Sequence, residues 1–242
     1  MSLIRFDELT WEEVQKEIKH RIVIIPIGAV EAHGPHLPLN TDTVIVQKIA
    51  EEVAKRTRSL LLPVLNYGQL WSLKNFPGSI RIKEENIVAF LVDICESLHA
   101  HGAKLIVLIS WHLGNANVIK KVARIMHDKH GVKVLYFLAP GIKEMRKMCE
   151  SKQWHPTYFH AEEIETSLML AIRPDLVNMN KAISSYPSPP QTFGYLPHTW
   201  DEFTSLGVLG DPTKATAEKG KKMLNIAINA VVSILQKFSN SE

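Results

Sequence analysis

Cysteine is scarce in this sequence of 242 residues, which has only Cys95 and Cys149. Neither residue belongs to a Cys-x-x-Cys pair or to a zinc-finger spacing, which disfavours a disulfide scaffold and a structural zinc site made of thiolates. Two unpaired thiols are typical of a reducing compartment, and Asp7 and Glu8 stand where a signal peptide needs positive charge. We therefore expect a cytoplasmic protein.

Long apolar runs and dense basic blocks are missing as well. The longest apolar stretches, 22–30 and 60–65, contain prolines and fall far short of the ~20 residues that a membrane-spanning helix needs. The 28 Lys and Arg residues exceed the 25 Asp and Glu residues by three and are spread along the chain. This pattern is not typical of a protein that binds nucleic acid or a membrane surface, so we expect a small-molecule substrate as the partner.

Four common catalytic signatures are missing too. No glycine-rich dinucleotide fingerprint follows the first predicted strand, and there is no Walker loop, no Gly-x-Ser-x-Gly elbow and no His-Glu-x-x-His helix. Several large enzyme classes are thereby disfavoured. Hydrophobic residues, by contrast, make up 45% of the sequence, which is enough to bury a sizeable core and excludes a disordered or fibrous chain.

Short apolar runs alternate with segments of helical periodicity along the chain. The runs are apolar at nearly every position, which is typical of strands buried on both faces, and the segments carry an apolar stripe at spacings of three and four. The predicted strands are Ile22–Ile25, Leu60–Leu65, Leu105–Ile109 and Val132–Leu138, and the predicted helices are Thr43–Arg58, Lys83–His101, Asn115–His130, Ala161–Ile172 and Thr213–Phe238. Because parallel strands need crossover connections, this alternation predicts one α/β domain over residues 1–242, a three-layer α/β/α sandwich with a mainly parallel central sheet.

The segment 184–210 has no clear periodicity and is rich in proline and aromatic residues. A loop of this length inside a compact domain is usually functional or disordered. Its aromatic residues Phe193, Tyr195, Trp200 and Phe203 favour an ordered loop that forms an active-site wall or an oligomer contact.

Four residues with metal-binding side chains follow the first predicted strand within twelve positions: Glu31, His33, His36 and Asp42. Ligands in α/β proteins bind at the carboxyl ends of the strands, and imidazole with carboxylate suits zinc, manganese or iron. A polar loop that only caps the next helix is the alternative, since Asp42 stands where an N-cap would. For this loop alone both interpretations remain open.

A second histidine-containing turn follows the third predicted strand. His112 lies at the carboxyl end of that strand, just before a predicted helix for which Asn115 is the expected cap. A lone histidine in this position is more often a hydrogen-bonded core residue than a ligand. The agreement of two strand ends favours a common site.

Three glutamates stand at the start of the helix predicted over Ala161–Ile172. Glu162 and Glu163 are explained by the helix dipole, which favours acidic residues in the first turn. Glu165 precedes Thr-Ser-Leu-Met, in a part of the helix that must pack against the core. A carboxylate there needs a partner such as a cation.

Three of these segments occur together, and in the same order, in one known family. They are the Glu-x-His-Gly-x-His-Leu-Pro segment that begins at Glu31 and ends in an Asp, the turn from His112 to Asn115, and the His-Ala-x-x-x-Glu-Thr-Ser segment from His160. Together they resemble the creatininase family of metal-dependent amidohydrolases. Two further segments are similar to family segments, so the resemblance extends over most of the chain.

The resemblance implies a three-layer α/β/α domain with two divalent metal ions, with zinc as the first choice and manganese or iron as alternatives. One ion would be held by Glu31, Asp42 and His112, and the other by His33, Asp42 and a further glutamate. The namesake enzyme takes this glutamate from two residues after the histidine of the turn, where this chain has Gly114. Members with this glycine use the glutamate of the Glu-Thr-Ser segment, which makes Glu165 the candidate.

The resemblance also implies roles for the residues around the ions. His160 matches the proton donor of the family, while His36 and Asn115 would orient the ligands or the loop backbone from behind. A hydroxide between the ions would attack an amide carbonyl, since metal ions bring the pKa of bound water from ~15.7 towards ~7. Family members commonly form closed homo-oligomers, often hexamers, and we expect a homo-oligomer here.

Three functions remain open from the sequence. They are hydrolysis of a cyclic amide or formamide C–N bond, deformylation of a formylamino-pyrimidine nucleotide, and a non-catalytic scaffold that binds a metal or ligand. A phosphorylated substrate needs basic side chains near the pocket, for which Lys74, Arg81 and Lys214 are candidates. Trp71 and Phe76 are candidates for an apolar wall.

Overall fold

Five parallel strands form the sheet at the centre of the computed structural model, which describes residues 2–239. The strands are β1 (Ile4–Arg5), β2 (Val23–Ile27), β3 (Leu60–Leu61), β4 (Leu105–Ser110) and β5 (Lys133–Leu138). Their order across the sheet is β1-β3-β2-β4-β5, and each neighbouring pair is parallel. Residues 1 and 240–242 of the predicted domain lie outside the described residues.

Helices cover both faces of the sheet. The α-helices of residues 2–239 are α1 (Trp11–Glu17), α2 (Thr41–Thr57), α3 (Glu84–Ala100), α4 (Ala116–His130), α5 (Ile142–Arg146), α6 (Glu163–Ile172) and α7 (Ala217–Ser239). Helices α2, α6 and α7 pack together on one face, and α3 packs beside α4 on the other. This arrangement confirms the three-layer α/β/α fold. None of these helices is long and apolar enough to cross a membrane.

The central strands are apolar up to the polar Ser110 at the end of β4, because both of their faces are covered. In β4, Val107 and Ile109 join the apolar cluster under α2 and α7, whereas Ile106 and Leu108 join the cluster under α3 and α4. Successive side chains of a strand point to opposite faces, so a strand between two helix layers needs an apolar residue at every position. All residues of β2 and β4 are accordingly buried.

Two predicted strands differ from the structure. The strand Val132–Leu138 is predicted to be buried on both faces, but β5 pairs only with β4 among the described strands and Tyr136 is 46% exposed. The prediction of full burial is therefore wrong, because an edge strand has a neighbour on one side only. The strand predicted over Leu60–Leu65 is shortened to β3, since Pro63 has no N–H to donate to the ladder.

Several helix ends also differ from the prediction. Helix α2 begins at Thr41 after the N-cap Asn40, so Asp42 lies inside its first turn and the interpretation of Asp42 as the N-cap is wrong. The elements β1 and α1 are not predicted from the sequence. A capping box starts α1, in which Thr10 accepts a hydrogen bond from the main-chain N–H of Glu13, and this Thr-x-x-Glu signal is visible in the sequence.

The order of the strands decides where a site can form. The chain passes from β2 to β3 on one side of β2, and then crosses to β4 on the other side. The carboxyl ends of β2 and β4 are adjacent, with Ile27 paired to Ser110. Ligands of open α/β sheets bind at such a switch point, because the two following loops diverge and leave a crevice.

We expect Gly220→Ala to destabilise the protein by about 1–3 kcal/mol, because α7 approaches α6 so closely that an added Cβ would lie 1.8 Å from the Ser167 carbonyl oxygen. An alanine otherwise favours a helix by about 1 kcal/mol over glycine. Urea unfolding measures the effect, with the exposed Lys221→Ala on the same helix as the control. A Gly220→Ala protein as stable as the wild type would contradict this close packing.

Candidate metal centre

Six buried acidic and histidine side chains converge at the carboxyl ends of β2 and β4. Their ligand atoms form three groups, and within each group all atoms lie within 4.8 Å of one another. The groups are Glu31, Asp42 and His112; His33, Asp42 and Glu165; and Glu31, His33 and His160. The structure thus brings together all five side chains predicted as metal ligands, with His160 beside them.

Asp42 lies between two of these groups. Its Oδ2 is 3.2 Å from Nδ1 of His112, which is also 3.1 Å from Oε1 of Glu31. The other oxygen, Oδ1, is 3.5 Å from Nε2 of His33, and this nitrogen lies 3.8 Å from Oε2 of Glu165. One carboxylate therefore faces two separate sets of nitrogen and oxygen atoms through its two oxygens.

Main-chain carbonyl groups hold the three histidine rings. A carbonyl only accepts hydrogen bonds, so the ring nitrogen beside it must carry the proton. The pairs are His33 Nδ1 with Glu31 O at 3.1 Å, His112 Nε2 with Gln69 O at 2.7 Å, and His160 Nε2 with Ala32 O at 2.7 Å. In each ring the second nitrogen faces the carboxylates, which is the orientation that a metal-binding histidine has.

Several buried atoms of the cluster have no hydrogen-bond partner within residues 2–239. They are Oε2 of Glu31, Nε2 of His33 and Oδ2 of Asp42. A buried polar atom without a partner is costly, so such atoms together indicate a missing ligand. Imidazole nitrogen with carboxylate oxygen suits zinc or manganese, and the residues therefore fit divalent metal ions.

Electrostatics in the cluster are dominated by burial and by mutual attraction. Burial raises the pKa of Glu31, and it raises the pKa of Glu165 to about 7. Burial also tends to raise the pKa of Asp42, but attraction to His33 and His112 holds the pKa of this carboxyl far below its usual range. Burial opposes a charge on His33, yet the attraction of Asp42, Glu165 and Glu31 raises its pKa to about 10.

His160 differs from the other two histidines of the cluster. Burial and the repulsion of His33 lower the pKa of His160 well below its ordinary value. Its Nδ1 is 3.7 Å from Oε1 of Glu31, and its ring borders the adjacent cavity. A neutral imidazole with one free nitrogen can accept and return a proton.

Only one of the three glutamates at the start of α6 belongs to the cluster. Glu162 is the N-cap and accepts a hydrogen bond from the main-chain N–H of Ile164. Glu163 is buried and pairs with Nζ of Lys219 at 2.7 Å, a role beyond the helix dipole that the sequence suggested. Glu165 lies two residues after Glu163, still in the first turn of α6, and its carboxylate faces His33.

His36 is buried next to the cluster but contacts none of its carboxylates. Its Nε2 lies 2.9 Å from the hydroxyl of Thr166, the neighbour of Glu165, and its Nδ1 has no partner within residues 2–239. The main-chain carbonyl of His36 accepts a hydrogen bond from Asn178 N. This histidine therefore ties the ligand-bearing loop to α6, and the expected contact with a ligand carboxylate is not formed.

Asn115 takes the N-cap position of α4, but its side chain makes no capping hydrogen bond. Its Oδ1 instead accepts from Gln69 N at 2.9 Å, and its Nδ2 donates to Gly28 O at 3.2 Å and to the Ser110 hydroxyl at 3.1 Å. The predicted N-cap position is therefore confirmed, although the side chain does not cap the helix. The side chain faces inward and fixes the Gln69 segment whose carbonyl holds His112.

A cavity of about 350 Å³ opens beside the cluster. Aromatic side chains form much of its wall, among them Trp71, Tyr158, Phe159 and Trp200. The edge of the Trp200 ring meets the ring of His160 at a centroid distance of 5.2 Å. A substrate in this cavity would therefore contact aromatic surfaces on one side and the carboxylate–histidine cluster on the other.

The segment 184–210 contributes to this wall, as its aromatic content predicted. Trp200 lines the cavity, while Phe193 and Phe203 pack behind it against Trp154. The rings of Trp154 and Phe203 are stacked at 5.9 Å. These contacts explain why a proline-rich segment without helical or strand periodicity is ordered.

Two residues of the site are not singled out by the sequence. Gln69 acts through its main-chain carbonyl, which leaves no signal in the side-chain sequence. Trp111 donates from Nε1 to Oε1 of Glu165 at 3.0 Å. Its position directly before His112 is the one available sequence signal.

Fold and site together define a parallel α/β protein with a buried carboxylate–histidine centre at the switch point of its sheet. A family model described as "Creatininase: Creatinine amidohydrolase" matches residues 7–235. The chain therefore belongs to the creatininase family and is a hydrolase of that family, which confirms the resemblance inferred from the sequence motifs.

Relatives with different activities match nearly the whole chain. Creatinine amidohydrolase of Pseudomonas putida is 25% identical over 247 residues, covering 95% of each chain. The 3-dehydro-scyllo-inosose hydrolase of Thermotoga maritima is 25% identical and covers 97% of this chain and 82% of that protein. The mycofactocin precursor peptide peptidase of Mycobacterium ulcerans is 29% identical, with 90% and 85% covered.

Solved structures of creatininase share the fold. One crystal structure of creatinine amidohydrolase superposes with a TM-score of 0.86 at 25% identity, over 98% of each chain. A creatininase variant in a zinc–zinc form and a manganese form superpose with TM-scores of 0.85 and 0.84 at 24% identity, also over 98% of each chain.

We expect Asn115→Ala to lower the free energy of unfolding by about 2–4 kcal/mol, because Gln69 N and Gly28 O lose their buried partner. The matched variant Asn115→Ser keeps a residue favoured at N-caps but cannot span the three contacts. Chemical denaturation should show the serine variant to be destabilised by a similar amount. Recovery of wild-type stability in Asn115→Ser would instead support a capping role.

Proposed function

We propose that this protein is a two-metal amidohydrolase that cleaves the C–N bond of a small cyclic amide or formamide. The observation that carries the proposal is the position of Asp42, whose two oxygens face two different sets of ligand atoms. One set adds Glu31 and His112, and the other adds His33 and Glu165. Such an arrangement suits a carboxylate shared by two ions.

Divalent ions at these positions would lower the pKa of a bound water and polarise the carbonyl group of the substrate. We propose zinc or manganese for both positions, since the ligand set suits either ion and related creatininase structures exist in a zinc–zinc and a manganese form. Iron, the remaining sequence-based alternative, is tested by reconstitution.

The side chain of His160 carries the proton transfer in this proposal. Its Nε2–H donates to the Ala32 carbonyl, which leaves Nδ1 as the free nitrogen. Its low pKa keeps the ring neutral at neutral pH, so Nδ1 can accept the proton of the attacking water and pass it to the leaving nitrogen. The Trp200 ring packs against this imidazole and holds its orientation.

The lining of the cavity favours a substrate without a phosphate group. Among the described residues that line the cavity, none is Lys or Arg. Nζ of Lys74 lies over the Trp71 ring at 4.9 Å from its centroid, and neither Arg81 nor Lys214 lines the cavity. A buried phosphate needs basic partners, so the nucleotide deformylase is the weaker alternative.

The proposal predicts which variants lose metal and which lose only rate. Asp42→Ala should lose both ions and His112→Ala at least one, with activity abolished in both. His160→Ala should retain both ions and lose about 100-fold or more in kcat. Metal analysis together with hydrolysis assays on creatinine, formylated aminopyrimidines and small lactams measures these effects, with the exposed Asp128→Ala as the control.

Full metal content and normal turnover in His112→Ala would refute the ligand assignment. A wild-type protein that binds two ions but hydrolyses none of these compounds, after reconstitution with zinc, manganese or iron, would instead favour the non-catalytic scaffold.

We also propose that the protein forms a homo-oligomer. The aromatic side chains of Trp11 and Phe90 are 73% and 53% exposed and line one open apolar groove between α1 and α3. Exposed apolar patches of this kind often lie at subunit contacts. Light scattering should give a mass several times that of one chain, and Trp11→Ser should lower it; a monomeric wild-type protein would contradict the proposal.

A further inference from the structure

We propose that Trp111 is a positioning residue that orients Glu165 as a metal ligand, and that the packing around Gly114 prevents any side chain at position 114 from taking this role. The inference rests on the proposed two-metal function. It explains why the carboxylate beside His33 and Asp42 comes from Glu165 of α6 rather than from the turn that carries His112.

Both oxygens of Glu165 are held by donors of this chain. Nε1 of Trp111 donates to Oε1 at 3.0 Å, and the main-chain N–H of Ala161 donates to Oε2 at 2.6 Å. The Trp111 side chain is 0% exposed, so its N–H has no access to water and depends on this carboxylate. A carboxylate oxygen has two lone pairs, and one on each oxygen therefore remains for a further ligand.

The turn before α6 is shaped for this contact. Ala161 has a φ of 48°, in the left-handed region that residues with a Cβ rarely adopt. This conformation directs its N–H to Oε2 of Glu165, the oxygen that lies 3.8 Å from Nε2 of His33. Strained backbone conformations such as that of Ala161 persist only where the surrounding structure enforces them, and they are common at functional sites.

Position 114 has no room for a side chain. A Cβ on Gly114 would lie 2.3 Å from the Gln69 carbonyl oxygen and 2.3 Å from Nε2 of His112. These two atoms form the 2.7 Å hydrogen bond that orients the His112 ring. A side chain at position 114 would force the Gln69 segment or the His112 ring to move, so this packing does not allow the turn to supply both His112 and a carboxylate from residue 114.

The hydrogen bond from Trp111 can be removed with little change in shape by Trp111→Phe. Metal-free full-length protein is titrated with zinc against a chromophoric chelator, which gives the number of sites and the affinity of each. We expect one of the two zinc ions to bind about 10–100-fold more weakly, because the partner of a ligand is lost, while the ion at Glu31, Asp42 and His112 binds as in the wild type. Tyr136→Phe, at an exposed position on β5 that lines neither the cavity nor the groove between α1 and α3, is the control.

A double-mutant cycle with Glu165→Gln separates positioning from general packing. If Trp111 acts through Glu165, Trp111→Phe should cause little further loss of zinc affinity in the Glu165→Gln background. Additive losses, equal weakening of both zinc sites, or unchanged affinity in Trp111→Phe would each overturn the inference. If the phenylalanine variant does not fold, the isosteric benzothienylalanine at position 111 replaces the N–H by sulfur and gives the same test.

Gly114→Glu in the Glu165→Gln background tests the second half of the inference. We expect no recovery of the lost zinc site and a weaker site at His112, because the new side chain displaces the His112 ring. Recovery of two tight sites would overturn it. A wild-type protein that binds no zinc would refute the two-metal function itself, which is distinguishable from a failure that appears only in the variants.

Discussion

Three carboxylates buried side by side, those of Glu31, Asp42 and Glu165, impose the constraint on which the rest of the site depends. Removing a carboxylate from water is costly, and neighbouring like charges add to this cost. This cost is lowered by protons on Glu31 and Glu165, whose pKa burial raises, by protons on His33 and His112, or by divalent cations. The unpaired Oε2 of Glu31 favours cations, because a proton on Nδ1 of His112 faces Oε1 of Glu31 and Oδ2 of Asp42 and leaves Oε2 of Glu31 without a partner.

Rigid parts of the fold hold this cluster in place. Main-chain carbonyls orient the three imidazoles, and Asn115 joins the Gln69 segment to the ends of β2 and β4. The aromatic wall lines the cavity beside this framework and touches it where the Trp200 ring meets His160. This arrangement is consistent with relatives named for creatinine, an inosose and a precursor peptide, since function resides in the site rather than in the fold.

Much of the fold could be predicted from local patterns. Consecutive residues of β2 and β4 are apolar because helices cover both faces of these strands. A short stretch of sequence is therefore enough to predict that the two strands are buried. The edge position of β5 could not be predicted, because an apolar run has the same sequence whether a strand has one neighbour or two. The start of α2 could not be predicted either, because its N-cap Asn40 makes no side-chain capping hydrogen bond and Asp42 lies inside the first turn.

For the site, the sequence predicts which residue types are available and that they follow strand ends. Glu31, His33 and Asp42 lie within one loop and the helix start after it, so their proximity is a local property. Contacts between distant residues depend on the tertiary structure: Trp111 and Glu165 are 54 positions apart, and His112 and Gln69 are 43 positions apart. Such pairs form only when the sheet order and the helix packing bring separate loops together. Patterns of neighbouring residues therefore do not predict which distant residues will be in contact.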